Sequence, residues 1–263
     1  MPTSPLITLT TDFGTASPYV AVMKGVIRSI NPTADLLDLT HSIPPQNLRH
    51  TSYFLATAVP HFPAGSIHLC VVDPGVGTER APVLAEVGEH YLVGPDNGIF
   101  TGVFRHFGEP IRVRRLSNPR YWRPTVSSTF HGRDIFAPVA AYLSRGIDPE
   151  EFGPIHPNPV ELGIRSAVTH GHRWLGEVQF IDDFGNVITN IPATRLQTLP
   201  VKVAIDGHSL GLLRWVRTYG DAATGEQVCL FSSDGFFEIA EVNGNIARRL
   251  AVTPGAIVEL MLS

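Results

Sequence analysis

The sequence predicts an α/β domain with a largely parallel sheet over residues 1–165, followed by a smaller all-β, barrel-like domain over residues 172–263. Strand-like and helix-like patterns alternate through the first part, as βαβ units require. Short strands and turns alone fill the last part. Between them, from Gly153 to about Arg173, Pro154, Pro157 and Pro159 mark a change of composition and a stiff connection.

Each element has its local reason. Leu6 to Thr11 is the first strand. Ser17-Pro18 supplies an N-cap and a proline at the first helical position. Val20, Met23, Ile27 and Ile30 then recur at helical spacing and form one apolar face, and Asn31-Pro32 ends the helix. Ala34 to Leu39 is a second strand. Leu48 to Val59 is a second helix, with Leu48, Thr51, Leu55 and Val59 on one stripe. Ser66 to Val72 is a third strand, running into Asp73-Pro74-Gly75. Val83 to Val93 is a hairpin turning at Gly88 and ending at Gly94-Pro95-Asp96-Asn97-Gly98. A helix from about Ile135 to Leu143 follows Phe130-His131-Gly132-Arg133-Asp134. In the second domain, strands fall at Trp174–Phe180, Val187–Ile191, Val201–Ile205, Gln227–Phe231 and Ala256–Leu262.

Bulk properties narrow the function. Of 263 residues, 43% are hydrophobic and 17% charged, which suits a soluble protein with a real core. A net charge of −4 offers no basic face for nucleic acid. No apolar run reaches the ~18 residues of a membrane span, and the chain enters Leu6-Ile7-Thr8-Leu9 without a charged-then-apolar leader. Cys70 and Cys229 are too few and too far apart for a disulfide framework or a zinc motif. They are expected to be buried thiols in a reducing cytoplasm.

Five polar, Gly-rich segments sit at strand ends, where open parallel sheets bind ligands. In Thr10-Thr11-Asp12-Phe13-Gly14, the Asp12 carboxylate suits both hydrogen bonds of a ribose diol, or equally a turn. No Gly-x-Gly-x-x-Gly follows this strand, which argues against an ordinary dinucleotide fold. Asp73-Pro74-Gly75-Val76-Gly77-Thr78-Glu79-Arg80 holds an acid–Arg pair in a tight loop, readable as a site or as a solvated surface turn. Gly94-Pro95-Asp96-Asn97-Gly98 is a turn with ligand contact secondary. His131 stands at a helix start beside Gly132, and Asp182-Asp183-Phe184-Gly185-Asn186 has the form of a β-turn with Gly185 at positive φ.

Together, and in order, these segments resemble the S-adenosylmethionine hydroxide adenosyltransferases, hydrolytic relatives of the fluorinating and chlorinating enzymes. The shared stretches are Thr11-Asp12-Phe13-Gly14, Asp38-Leu39-Thr40-His41 before Ile43-Pro44-Pro45, the Asp73–Gly77 loop, Gly94–Gly98, Phe130–Asp134 and Phe184–Ile191. The resemblance implies an Asp73, Arg80 and His131 catalytic set. It implies Asp12 on the ribose hydroxyls, Asn186 on the adenine edge, Asp182 on the methionine ammonium, Tyr219 stacked on adenine and Ser233 on the methionine carboxylate. Gly132 stands where fluorinating relatives place a fluoride-holding Ser. Ser232-Ser233-Asp234-Gly235 departs from the family pattern, since an inward Asp234 repels a carboxylate. Relatives are trimers with substrate at subunit interfaces, which implies the same here.

The chemistry accounts for such residues. A sulfonium releases a neutral thioether and needs no acid, so the demand falls on the nucleophile. Water, with a pKa of ~15.7, needs a base or a strong local field. His131 and Asp73 are the groups to take or relay the proton, with Arg80 on the developing hydroxide. No metal and no redox cofactor is expected. Three alternatives remain: a halide-using adenosyltransferase; a metal-dependent phosphoesterase with Asp12, Asp73, Asp96 and His131 as ligands; and a non-catalytic adenosine or S-adenosylmethionine sensor.

Overall fold

In the computed structural model, which describes residues 5–196 and 201–262, the chain divides into two units, Met1–Leu162 and Gly163–Ser263. The first contains β1 (Leu6–Thr11), α1 (Tyr19–Ile30), β2 (Asp35–Thr40), α2 (Leu48–Ala58), β3 (Ile67–Val71), β4 (Pro82–Val87), β5 (His90–Pro95), α3 (Thr101–Phe107), β6 (Ile111–Arg115) and α4 (Ala137–Ser144). The sheet order is β2-β1-β3-β5-β4-β6. β2, β1, β3 and β5 run parallel, while β4 pairs antiparallel with β5 and β6. The largely parallel α/β domain is as the alternation predicted, and the β4–β5 hairpin turns at Gly88.

Both faces of this sheet are covered, and the strand period of two assigns residues to each. Ile67, Leu69 and Val71 pack in one core with Met23 and Ile27 of α1 and Val139 and Leu143 of α4. Cys70 and Val72 face the other, with Leu55 of α2 and Val103 and Phe104 of α3. Ser17 does not cap α1: the helix starts after Pro18, and no side chain caps it. The proline-rich stretch is not a connection between the units. Pro154 O accepts from Arg115 N (2.9 Å), His156 N donates to Val113 O (2.7 Å), and Leu162 N donates to Thr101 Oγ1 (2.9 Å), so residues 154–162 are bound along the first unit.

The second unit contains β7 (Val168–His170), β8 (Arg173–Ile181), β9 (Val187–Pro192), β10 (Val201–Ile205), β11 (His208–Trp215), β12 (Gln227–Phe231), β13 (Phe236–Glu241), α5 (Ile246–Leu250) and β14 (Ile257–Leu262). The order β14-β10-β11-β12-β13-β9-β8 closes through β14–β8 pairing into a seven-strand barrel, with β7 added beside β8. Trp174, Val178, Val203, Phe237, Ile239 and Val258 fill its core. The predicted barrel-like domain is therefore a closed barrel, with the short, exposed β7 left as its one added edge among the described residues.

Several elements escaped the sequence reading: α3, β6, β7, β11, β13 and α5. β11 is interrupted by Gly211 at φ 75° beside a bulge, and β13 breaks alternation by burying Glu238 between Phe237 and Ile239. Both cysteines are free and buried, and burial pushes the Cys229 thiol up to about 12. Among the described residues no helix is long and apolar enough to cross a membrane.

Candidate active site

In the first unit a pocket opens beyond the carboxyl ends of β1 and β3, and Asp12, Gln46, Asp73, Phe130, His131 and Gly132 help line it. The loop after β3 turns back on itself through Val76 N–H to Asp73 O (3.3 Å) and Thr78 N–H to Gly75 O (3.1 Å). Gly77 takes φ 77°, and a Cβ there would stand 2.2 Å from Ser128 O. Only glycine allows that approach. It lets the loop carrying Asp73 and Arg80 meet the segment leading to His131.

Arg80 joins the three residues. Its Nε donates to Asp73 Oδ1 (2.9 Å) and Oδ2 (3.0 Å), and its Nη2 donates to Asp73 Oδ2 as well. Nη2 also reaches His131 Nδ1 at 2.8 Å. The guanidinium lies over the Phe136 ring, 5.3 Å from its centroid. The Arg80 and Asp73 side chains are only 9% and 5% exposed, so each charge depends on the other. Burial, then the Arg80 charge, holds the His131 imidazole below the ordinary histidine value, against the opposing pull of Asp73 and Asp134.

His131 begins a π-helical turn, Gly132–Phe136, that leads into α4. Asp134, with a fully buried side chain, fixes that turn. It accepts from Arg133 Nε (2.7 Å), Arg123 Nη1 (3.2 Å) and Ser127 N (2.9 Å). Burial alone would raise its carboxyl, but these bonds and charges hold it below the usual carboxylate range. Gly132 is packed tightly: a Cβ would meet Met23 Sδ at 3.2 Å, and Phe130 Cε2 and Val71 Cγ1 at 3.3 Å.

Asp12 stands in the same pocket. Its Oδ2 accepts the Gln46 N–H (2.8 Å), and Gln46 adopts φ 62°. Thr11 Oγ1 accepts from Phe13 N (3.2 Å) and meets His41 Nδ1 (2.9 Å), while His41 Nε2 faces Asp38 Oδ1 (3.0 Å). The predicted Asp38–His41 stretch thus props the Asp12 turn from behind. Asp96 turns elsewhere, to His156 Nε2 and Val160 N, both at 2.8 Å. It does not join Asp12, Asp73 and His131, which the phosphoesterase alternative required.

A second group forms in the barrel unit. The β8–β9 turn is closed by Gly185 N–H to Asp182 O (2.9 Å), with Gly185 at φ 86°. Asp182 Oδ1 accepts from Phe184 N (3.0 Å) and Asn186 N (2.8 Å), and Oδ2 accepts from Asn186 Nδ2 (2.9 Å). Asn186 Nδ2 also lies 3.3 Å from Tyr219 Oη, whose hydrogen goes to Glu238 Oε1 at 2.5 Å. Asp182, Asn186 and Tyr219 are therefore together. Ser233 is exposed on the β12–β13 turn and makes no hydrogen bond to them among the described residues. Sequence reasoning missed Gln46 and Glu238. Gln46 acts through its backbone, which leaves no side-chain signature, whereas Glu238 offered a signal as a carboxylate within a strand's apolar run.

The model of the SAM hydroxide adenosyltransferase N-terminal domain matches residues 7–153, and that of the C-terminal domain matches residues 176–259. The chain belongs to the SAM hydroxide adenosyltransferase family. A relative named (R)-S-adenosyl-L-methionine hydrolase, from Salinispora tropica, is 38% identical over 97% of each chain. A fluorinase from Nocardia brasiliensis is more distant, 24% identical over 97% of this chain and 96% of its own. The crystal structure of a conserved Thermotoga maritima protein superposes with a TM-score of 0.90 at 37% identity, covering 97% of this chain and all of that one. In this SAM hydroxide adenosyltransferase family member, the N-terminal match carries Asp12, Asp73, Arg80, His131 and Gly132. The C-terminal match carries Asp182, Asn186, Tyr219 and Ser233.

Proposed function

We propose that this protein hydrolyses S-adenosyl-L-methionine at C5′, giving adenosine and L-methionine. The observation that carries the reading is the buried Asp73–Arg80–His131 chain in a protein whose nearer relatives are named as hydrolases of this substrate. Water oxygen bonds to C5′ as the C5′–S bond breaks, its electron pair stays on sulfur, and one proton leaves the attacking water. Arg80 can only donate, so His131 accepts at Nδ1 and carries its hydrogen on Nε2. That N–H is a donor for the nucleophilic oxygen. Asp73 is the member able to receive the proton without breaking the Arg80–His131 contact. Charge is neutralised along the path, so exclusion of water favours the step.

Asp12 keeps Oδ1 for the ribose hydroxyls while Oδ2 holds Gln46. In the barrel unit, Asn186 and Tyr219 take adenine, and Asp182 and Ser233 take the methionine end. The free, buried cysteines fit a cytoplasmic location. A homotrimer, with each first-unit group completed by a neighbouring chain's barrel group, follows from the family resemblance. Written this way, the reaction involves no metal or redox cofactor.

Reaction in oxygen-18 water tests the reading. Label should enter the adenosine 5′-hydroxyl without added metal. A 5′-halo product formed from chloride, or adenosine free of label, would falsify it.

A further inference from the structure

Glu238 is a buried carboxylate, 4% exposed, that none of the steps above uses. It lies on β13 between Phe237 and Ile239, both fully buried. An acid in such a place is costly unless it is paired, and among the described residues the side chain hydrogen-bonded to it is the Tyr219 hydroxyl at 2.5 Å. Burial raises the Glu238 carboxyl above its ordinary value, and the hydrogen bond donated by Tyr219 opposes that by favouring the carboxylate. Tyr219 keeps its proton, because burial and then the Glu238 carboxylate raise its ionisation well above the ordinary phenol value.

This pairing has a consequence one residue further. With its hydrogen committed to Glu238, Tyr219 Oη presents only a lone pair to Asn186. The other neighbour of the same amide group is Asp182 Oδ2, also an acceptor, at 2.9 Å. Two acceptors call for the two hydrogens of Nδ2. A flipped amide would set Oδ1 against both. Asn186 Oδ1 must therefore face away from both acceptors, and among the described residues no donor meets it. We propose that Glu238, acting through Tyr219, is a positioning residue that locks Asn186 as a hydrogen-bond acceptor and so selects 6-amino over 6-oxo purines.

The inference rests on the reading of Asn186 as the adenine contact. A 6-amino group donates and meets Oδ1. A 6-oxo group accepts and meets a second lone pair. Sites built to bond one such group discriminate strongly against its absence. Glu238→Gln loosens the lock, because a glutamine amide can donate to Tyr219 Oη and free the tyrosine hydrogen for Asn186 Oδ1.

The test is calorimetric binding of adenosine and inosine to the full-length protein, alongside cleavage of S-adenosylmethionine by the same preparations. Wild type should prefer adenosine. In Glu238→Gln the adenosine-to-inosine preference should fall by about tenfold or more. Tyr219→Phe, at a residue 41% exposed, covers the case in which Glu238→Gln does not fold, and should lower the ratio less because Asp182 still holds one amide hydrogen. A ratio unchanged in both variants, or equal losses for both nucleosides, overturns the lock while leaving the hydrolase reading in place if wild type cleaves the substrate. A wild type that neither cleaves it nor binds adenosine overturns both.

Discussion

Arg80 Nη2 lies 2.8 Å from His131 Nδ1, and the same guanidinium grips the Asp73 carboxylate. A guanidinium has no acceptor, so the contact makes Nδ1 the unprotonated nitrogen of a neutral imidazole. The three side chains form a directed chain, with Arg80 donating to both ends. His131 is fixed in orientation and in tautomer by one bond.

Removal of any member should strike turnover more than binding. Arg80→Ala, Asp73→Ala and His131→Ala are each expected to lower kcat by about 100-fold or more. Adenosine affinity, read by calorimetry, should stay within about tenfold. Arg80→Lys should not restore activity, because one ammonium cannot span a carboxylate and Nδ1 as the planar fork does. A mutant with full turnover removes its residue from the mechanism.

Acid should switch the site off below the ordinary histidine range. His131 is held below 6.5 by burial and by Arg80, so it stays neutral through neutral pH. Once protonated it has a hydrogen on Nδ1 aimed at Arg80, and the contact becomes repulsive. The acid limb of kcat/KM is therefore expected below pH 6.5. A limb centred above that value would show that another group controls it.

Gly132→Ser tests the packing around His131. Three neighbours stand 3.2–3.3 Å from where its Cβ would be. Each must give by tenths of an ångström, and a hydroxyl needs more room still. The variant is expected to lose turnover and some thermal stability, with no gain of halide use. Production of 5′-chloroadenosine from chloride would refute this.

The trimer is tested by complementation. Arg80→Ala and Asn186→Ala impair groups in different units of the chain. If sites are shared between subunits, mixing the two nearly inactive proteins under conditions of subunit exchange restores part of the activity. No recovery despite proven exchange, with a monomer in sedimentation, rules the shared site out.

The two-part architecture was legible in the order of residues, because periodicity is local. The stripe of Val20, Met23, Ile27 and Ile30 and the strand of Leu6 to Thr11 are legible without knowing what they touch. The ordered motifs also named Asp12, Asp73, Arg80 and His131. Only the tertiary structure brought Arg80 and His131, 51 residues apart, within hydrogen-bond distance, and only the close approach at Gly77 explains how. It alone moved Pro154 to Leu162 onto the first unit, through backbone bonds that composition does not encode. Glu238 stood out in the sequence as an acid in an apolar run, but its role did not. In the sequence it is one acid in a β-strand, and its burial and its bond to Tyr219 arise only when β13 enters the barrel. Donor and acceptor partners are set by distances in space, and residue order carries no such information.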